Sequence, residues 1–441
     1  MINVHGQGKD MKEPLLLDKS FQDILQQLEL QNDHFFITGK AGTGKSTLLQ
    51  LFRKTTHKKV VVLSPTGISA LNVQGQTIHS FFQFPPRLMQ HAEISLNRRL
   101  VNLLKAIDAI IIDEISMVRA DVIDAIDFSL KLHRQSHQPF GGLQMLLFGD
   151  LFQLPPVVSS AEEREYFSTV YTSAYFFAAH VFKGPVSLQM IEMTKVYRQK
   201  ERNFIRLLDN IRTMQFDYDD LESINERYIP DAHIEEPYLT LCSTNAAAQQ
   251  INSAHLSALT TSSHFYSGEV KGDFNPKIFP TDYTLELRVD GQVMLIRNDP
   301  EKRFVNGSLA TIVALEDEKI TVRLTTDEGK TEIFDVPKMT WETNRYTIST
   351  DAENTVKAEV IGSFIQYPVR LAWAVTIHKS QGKTYDRVAI DLGRGAFEHG
   401  QTYVALSRCR TLQGVFLKKP LTPRDIMVDE RVTEFYEQMR L

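Results

Sequence analysis

The sequence has few of the features that mark a secreted or membrane-bound protein. Its 441 residues include only two cysteines, Cys242 and Cys409, and their separation fits no metal-ligand spacing. We therefore expect a reducing compartment and no zinc site. The polar stretch 1–12 lacks the apolar centre of a signal peptide, and no apolar run approaches the roughly 20 residues that span a bilayer. We expect no membrane association.

The chain also has no excess of positive charge and no internal repeat. Its net charge of −5 argues against a protein coated in basic surface. A local basic groove remains compatible with this value, because the distribution of charge matters more than its sum. With 42% hydrophobic and 23% charged residues, the chain has the composition of a folded protein of two or more domains.

The most informative segment that is present is a glycine-rich loop at residues 39–46. It reads Gly-Lys-Ala-Gly-Thr-Gly-Lys-Ser and lies between a short apolar run and a stretch with helical apolar spacing. Such a loop between strand and helix presents backbone N–H groups to a polyphosphate, with Lys45 on the β/γ-phosphates and the Ser46 hydroxyl on Mg²⁺. An ordinary glycine turn is the alternative interpretation. We predict that a nucleoside triphosphate is held by Gly39, Ala41, Gly42, Thr43, Gly44, Lys45, Ser46 and Thr47.

Two carboxylates follow a second apolar run. Ile110, Ile111 and Ile112 lead into Asp113 and Glu114, which is typical of a buried parallel strand that opens into a ligand crevice. Here Asp113 holds Mg²⁺ through water, while Glu114 orients or deprotonates the attacking water. A strand that merely meets a solvated loop would give the same pattern. The upstream phosphate loop favours the functional interpretation.

A third strand is predicted at 144–148, and it ends in Gly149-Asp150-Leu151-Phe152-Gln153-Leu154-Pro155-Pro156. This order places the Gln153 amide beside the γ-phosphate, where an uncharged amide can hydrogen-bond phosphate or water. Alone, a strand that ends in a Pro-Pro turn is ordinary.

The order of these segments resembles superfamily-1 helicases of the RecD/Pif branch, the Pif-one family, and specifically its bacterial members. The matching blocks span residues 36–408 in the family's order. They are residues 36–46, 61–70, 75–82, 113–117, 139–156, 196–199, 373–382 and 403–408. At Asp127-Phe128-Ser129-Leu130 the chain departs from the more charged segment of many members, which affects no catalytic assignment.

The resemblance implies further site residues. Arg198 and Arg408 are implied to act as fingers on the γ-phosphate, a role suited to a planar, permanently charged guanidinium. Gln22 resembles the family's adenine-reading glutamine, and Gly382 is implied at the nucleotide. The residues implied to contact single-stranded DNA are Pro65, Thr66, His79, Thr376, His378 and Lys379. Phe81 and Phe82 are expected in the core rather than on DNA.

The predicted fold class is α/β, with two RecA-like parallel-sheet domains. The first covers 1–180, with a small wedge excursion at about 74–99. The second covers 181–255 and 365–441. Residues 256–364 show short alternating strands at 292–296, 310–314, 320–324 and 332–336, with a turn at Asn306-Gly307, and suggest a small antiparallel barrel. The resemblance implies that the wedge meets the duplex fork and that the barrel is SH3-like.

The predicted function is that of an ATP-dependent, Mg²⁺-dependent DNA helicase of the bacterial cytoplasm. The resemblance implies 5′-to-3′ movement on single-stranded DNA, with forked or tailed duplexes as substrates. G-quadruplexes and RNA–DNA hybrids are further candidate substrates, and the expected solution state is a monomer. A nucleotide-gated DNA remodeller that does not unwind is the main alternative. A small-molecule phosphotransferase is a second one, but it gives no reason for the paired arginines.

Overall fold

The computed structural model describes residues 19–89, 93–158, 160–229, 238–325, 330–348 and 356–440. The polar stretch 1–12 discussed above lies outside these residues. Within them, no helix combines the length and the apolar character needed to cross a membrane.

Six parallel strands form the first sheet, in the order β3-β2-β4-β5-β1-β6. They are β1 His34–Gly39, β2 Val60–Ser64, β3 Gln76–Thr77, β4 Ala109–Ile112, β5 Gln144–Phe148 and β6 Leu188–Met193. Every residue of β4 and β5 is buried, as expected of parallel strands covered on both faces. Because carboxyl ends of parallel strands share one edge, the segments that follow β1, β4 and β5 meet there.

In the described part of residues 19–166, seven α-helices lie beside this sheet. They are α1 Lys19–Leu30, α2 Lys45–Thr55, α3 Gly67–Asn72, α4 Ile78–Phe82, α5 Arg98–Ala106, α6 Ala120–Arg134 and α7 Ala161–Tyr166. Side chains of Thr66, Thr77 and Asn97 accept backbone N–H bonds at the starts of α3, α4 and α5, which fixes where these helices begin.

The second sheet has four parallel strands in the order β18-β7-β19-β20. They are β7 Leu239–Cys242, β18 Ala374–Thr376, β19 Val388–Asp391 and β20 Val415–Leu417. The helices of this part of the chain are α8 Arg202–Arg212, α9 Tyr218–Asn225, α10 Asn245–Ala258, α11 Gln401–Ser407 and α12 Glu430–Arg440.

Antiparallel strands occupy the interval between β7 and β18. A five-stranded sheet runs β14-β13-β12-β11-β17, a three-stranded sheet runs β15-β16-β9, and β8 pairs with β10. The strands are β8 His264–Ser267, β9 Glu269–Gly272, β10 Thr284–Leu287, β11 Gln292–Leu295, β12 Leu309–Glu316, β13 Lys319–Thr325, β14 Thr331–Val336, β15 Met339–Ile348, β16 Val356–Gln366 and β17 Val369–Leu371.

The predicted strands 292–296, 310–314, 320–324 and 332–336 are confirmed as β11 to β14, and the turn at Asn306-Gly307 precedes β12. The sequence does not predict the long hairpin of β15 and β16. This hairpin is stabilised by pairing with β9 and by packing on the first sheet, rather than by an alternation of apolar and polar residues along its strands. Its Tyr346 is 5% exposed and accepts a hydrogen bond from the Val62 N–H at 3.0 Å.

Three predicted boundaries need correction. Strand β6 pairs with β1 along its whole length, so the first sheet continues past residue 180. Helix α12 packs Val432 and Tyr436 into the core of the first sheet, although its residues fall in the range predicted for the second domain. The predicted excursion at 74–99 is also too long, because β3 belongs to the sheet and Phe81 and Phe82 lie in its core, each 5% exposed. In each case long-range burial decides, which a local pattern does not reveal.

Candidate functional site

The glycine-rich loop connects β1 to α2 at the carboxyl edge of the first sheet. Gly39, Gly42 and Gly44 have φ of +153°, +81° and +90°. A Cβ on Gly39 would lie 2.4 Å from the Met193 carbonyl oxygen, and one on Gly42 would lie 2.5 Å from the Cβ of Arg198. Only glycine fits this path, which leaves the loop's backbone free to approach a phosphate closely.

Lys45 lies inside this loop and is bound to its backbone. Its Nζ donates to the carbonyl oxygens of Gly39 at 2.6 Å and Lys40 at 3.1 Å. Burial lowers the pKa of Lys45, although Asp150 and Glu114 act in the opposite direction. A phosphate would replace neutral carbonyl partners with charged ones, so Lys45 is held where an anion is needed. Ser46 and Thr47 follow on the first turn of α2 with exposed side chains.

Asp113 and Glu114 follow β4 at the same edge. Burial, reinforced by the neighbouring Glu114, raises the pKa of Asp113 to about 7, and burial also raises the pKa of Glu114. Glu114 has φ +53°, a left-handed conformation that costs a non-glycine residue roughly 1–3 kcal/mol and is typical of functional sites. Burial thus favours the protonated form of both carboxyl groups, and the charge of Lys45 opposes this effect.

The segment after β5 contributes Asp150 and Gln153 to the site, and a hydrogen bond joins their side chains. The Gln153 amide Nε2 donates to Asp150 Oδ2 at 3.1 Å, and Arg212 from α8 donates to Asp150 Oδ1 at 2.9 Å. The Asp150 and Arg212 side chains are 0% and 2% exposed. The Arg212 guanidinium also lies 4.3 Å from the ring centroid of Phe152. This buried ion pair joins the first sheet to a helix of the second domain.

The second domain contributes both predicted arginine fingers. Arg198 donates to the Ser407 carbonyl oxygen at 3.0 Å, and burial, followed by the nearby Arg408, lowers its pKa to about 9. Arg408 is 1% exposed and donates through Nε to the Val404 carbonyl oxygen at 3.1 Å. Glu114 is among the groups whose charge favours the protonated form of Arg408, so the two side chains are within electrostatic range of each other.

Further contacts join the two domains at the loop. The Ala41 N–H donates to the Tyr403 hydroxyl of α11 at 2.8 Å, and Lys40 pairs with Asp209 of α8 at 2.6 Å. The backbone N–H of Tyr197 donates to the Gly42 carbonyl oxygen at 2.9 Å. The site is thus assembled from both sheets.

The remaining nucleotide candidates lie around this site. Gln22 is exposed on α1, whose Phe21 ring would contact a Cβ on Gly44 at 3.0 Å, so this helix lies against the loop. Phe21 packs edge-on against Tyr197, with ring centroids 6.1 Å apart. Gly382, with φ +74°, lies between Ser380 and Lys383, whose carbonyl oxygens accept bonds from Arg408.

The DNA candidates of the first domain follow β2 and β3. Thr66 caps α3 by accepting the Ser69 N–H, directly after Pro65. His79 is partly buried on α4, and burial lowers its pKa. A Cβ on Gly67 would lie 2.2 Å from Ile278, so the inserted antiparallel region packs beside these candidates.

The DNA candidates of the second domain follow β18. Thr376 is buried and accepts the Lys379 N–H at 3.3 Å. The Nε2 atom of His378 lies 3.1 Å from Glu398 Oε2. Thr376 and Lys379 line a groove of about 520 Å³ together with Asn245, Gln249 and other polar residues. The two sets of candidates therefore lie at the carboxyl edges of different sheets.

Sequence reasoning missed Arg212, Tyr403 and α12. One signal pointed to Arg212. It shares a helical face with the buried Phe204 and Leu208, at intervals of four residues, and a charge on an apolar face requires a partner. No comparable signal marks Tyr403.

The donor set fits Mg²⁺. Among the described residues there is no group of three or more His, Cys, Asp or Glu side chains that could hold a metal. Mg²⁺ does not need one, because it is usually bound by one or two carboxylates, water and the substrate phosphates. Asp113 and the Ser46 hydroxyl supply oxygen atoms of this kind at the mouth of the loop.

Known proteins similar to the chain share this architecture. A family model described as PIF1-like helicase matches residues 17–220. The ATP-dependent DNA helicase Pif1 of Bdellovibrio bacteriovorus is 31% identical over 418 residues, which cover 92% of this chain and 88% of that relative.

Three solved structures of Pif1 helicases, two of them from Bacteroides, are each 38% identical to the chain. The complex with ADP-AlF4 has a TM-score of 0.88 and covers 97% of both chains. A complex bound to ssDNA has a TM-score of 0.67 and covers 96% of this chain and 97% of that one. A structure described as DNA unwinding at forked dsDNA by two coordinating Pif1 helicases has a TM-score of 0.67 and covers 97% and 98%. The present arrangement is thus nearer to the ADP-AlF4 complex than to the ssDNA complex.

Proposed function

The chain belongs to the PIF1-like helicase family and is an ATP-dependent DNA helicase, and from this premise we propose that it moves 5′ to 3′ along single-stranded DNA and separates forked or tailed duplexes. The observation that carries the proposal is the composite nucleotide site. Its phosphate loop comes from the first sheet, whereas Arg198, Arg408 and Tyr403 come from the second domain.

A composite site couples nucleotide state to domain arrangement. Arg198 and Arg408 can reach a γ-phosphate only if the second domain stays against the loop. Hydrolysis removes their anionic partner, so the preferred separation of the domains changes with the nucleotide. Gln153 and Asp150 link that change to Arg212 on α8, which moves with the second domain.

Within the site, each role follows from chemistry and position. Lys45 holds the β/γ-phosphates, and Asp113 and Ser46 hold Mg²⁺, which neutralises phosphate charge when bound. Glu114 orients the attacking water and accepts its proton, a task suited to a carboxylate whose pKa burial has raised. Arg198 and Arg408 stabilise the charge that develops on the transferred phosphoryl group. Gln22 faces the adenine.

The DNA strand crosses the carboxyl edges of both sheets in this proposal. Pro65, Thr66 and His79 contact it on the first domain, and Thr376, His378 and Lys379 on the second. Support comes from their positions after β2, β3 and β18, and from the polar groove beside Thr376 and Lys379. Small hydroxyls and backbone amides suit phosphates, and rings suit base faces.

We propose a domain division that follows the packing rather than the predicted boundaries. The first RecA-like domain comprises the described residues of 19–193 together with α12, and the second comprises 198–229, 238–258 and 374–426. The inserted SH3-like domain comprises 264–371, and the wedge follows α4. The two cysteines, both buried and free, agree with a reducing cytoplasm.

The proposal is tested by measuring strand separation of a 5′-tailed and a 3′-tailed duplex, each with ATP and Mg²⁺. We expect strand separation of the 5′-tailed substrate only, and none by the Lys45→Ala variant. Equal activity on both substrates would contradict the polarity. DNA-stimulated ATP hydrolysis without separation of either substrate would favour the remodeller.

A further inference from the structure

We propose that a basic cleft beyond the DNA candidates of the second domain binds the single strand where it leaves the two-domain track. This inference rests on the proposed function, because it extends the path of the same strand. The cleft has a volume of about 640 Å³ and lies between the loops that follow β19 and β20. These strands are parallel to β7 and β18, so the cleft opens at the same edge as Thr376.

The lining of the cleft offers partners for both parts of a nucleotide, its phosphate and its base. Three exposed cations, Arg394, Lys419 and Arg424, surround it. Apolar and small side chains complete the lining, among them Leu392 and Leu421. Cations suit phosphates and apolar surface suits base faces, which is how proteins bind single strands without reading sequence.

The one carboxylate in the lining is already committed to the fold. Asp425 accepts the N–H groups of Ala396 at 3.1 Å and Thr422 at 2.8 Å, as well as the Thr422 hydroxyl at 2.7 Å. The carboxylate thus holds the two loops together through these hydrogen bonds. Lys419 Nζ donates to the Gly393 carbonyl oxygen at 2.7 Å, which holds the ammonium at the cleft while its other N–H groups stay available.

The cleft is continuous with the proposed DNA track. The Ser243 hydroxyl, which follows β7, donates to the Leu392 carbonyl oxygen at 3.4 Å, and a Cβ on Gly393 would lie 3.8 Å from Ser243 Oγ. On the other side of the same loop, Glu398 lies 3.1 Å from His378. The loop that carries Arg394 therefore contacts the segments that follow β7 and β18, and exposed Phe397 lies on it.

The test compares oligothymidylates by fluorescence anisotropy with the full chain. The starting probe is the shortest strand that wild type binds measurably, and it is then lengthened by a few nucleotides. The variant carries Arg394→Gln, Lys419→Gln and Arg424→Gln. A matched control carries Lys105→Gln, Arg164→Gln and Lys183→Gln, which removes the same charge from exposed sites of the first domain.

We expect wild type and control to gain affinity when the strand is lengthened. The variant should bind the starting strand normally and lose that gain. Because each phosphate contact on a single strand adds about 0.7 to the slope of log K against log salt, three contacts make the gain fall about 20-fold between 50 and 200 mM salt.

An equal gain in the variant and wild type, or no gain in wild type, would overturn the assignment of the cleft. If the variant and the control both lost binding to the starting strand, the cause would be a general charge effect. That result would also overturn the assignment of the cleft. Failure of the wild type to bind any oligothymidylate would instead contradict the proposed track, and the cleft with it.

Discussion

Replacement of Arg212 by methionine should destabilise the protein by about 3–5 kcal/mol, the usual cost of breaking a buried ion pair from one side. The pair with Asp150 is 2.9 Å long, and its side chains are 2% and 0% exposed, so water cannot replace the guanidinium. The variant also loses the contact with the Phe152 ring. Methionine retains the volume of the side chain's apolar stem, so the loss reports on charge rather than on a cavity.

The pH dependence provides an independent signature. Burial alone would raise the pKa of Asp150, but the Arg212 guanidinium outweighs it and, with Lys45, holds that pKa below its ordinary value. The stabilisation is therefore present above the unfolded pKa of about 3.9 and is lost as the pH falls through the folded pKa. In the variant, burial dominates and raises the pKa of Asp150. Its deficit relative to wild type should shrink as the pH falls towards 4.

Urea unfolding of wild type and variant, followed by circular dichroism at pH 7 and at mildly acidic pH, measures both effects. Arg206→Met is the matched control on the same helix, because Arg206 pairs with Asp220 at 2.6 Å while its side chain is 53% exposed. Asp220 is 1% exposed, but it keeps the hydrogen bond from Asn210 Nδ2 at 2.6 Å, so the loss should stay near the roughly 0–1 kcal/mol of a solvent-accessible pair. If Arg212→Met cost no more than Arg206→Met, or if its cost did not change with pH, the reasoning about the buried pair would be refuted.

Further variants test the roles of individual residues of the nucleotide site. Lys45→Ala should abolish ATP hydrolysis while single-strand binding stays within a few-fold of wild type, and a parallel loss of DNA binding in a folded variant would contradict the assignment. Glu114→Gln should bind ATP but hydrolyse it at less than about a tenth of the normal rate. Arg408→Ala should lower turnover by roughly 10³-fold or more, and unwinding equally, because the second domain supplies this charge. Arg410→Ala, at a half-exposed side chain paired with Asp386, is its control and should change turnover by less than about tenfold. Similar turnover in these two variants would exclude a finger role for Arg408.

The sequence predicted most of the nucleotide site because its chemistry is local. The glycine loop, the Asp113-Glu114 pair and the strands that carry them are short segments whose residue types are dictated by phosphate binding and burial. Arg198 and Arg408 came only from the family resemblance, because nothing in an isolated arginine distinguishes a finger from a surface charge.

What the sequence did not predict depends on contacts between distant segments. Helix α12 joins the first core through Tyr436, whose hydroxyl lies 2.5 Å from Thr38 Oγ1, almost the whole chain away. Strand β15 is held in place by Tyr346 on the first sheet as well as by its partner β16. The alternation of apolar residues predicts that a strand exists, but it carries no information on which sheet will cover it.

The bonds of the catalytic cations explain why the site is suited to an anion. Lys45, Arg198 and Arg408 all donate to backbone carbonyl oxygens. Binding of a triphosphate therefore exchanges neutral acceptors for charged ones, and no ion pair has to be broken. Burial, followed by repulsion from Arg408, lowers the pKa of Arg198 to about 9, so a bound anion would stabilise its charged form. Arg212 differs, because its charge is already neutralised by Asp150. The three cations held by neutral carbonyls are thus available to the nucleotide, whereas Arg212 is available only to hold the two domains together.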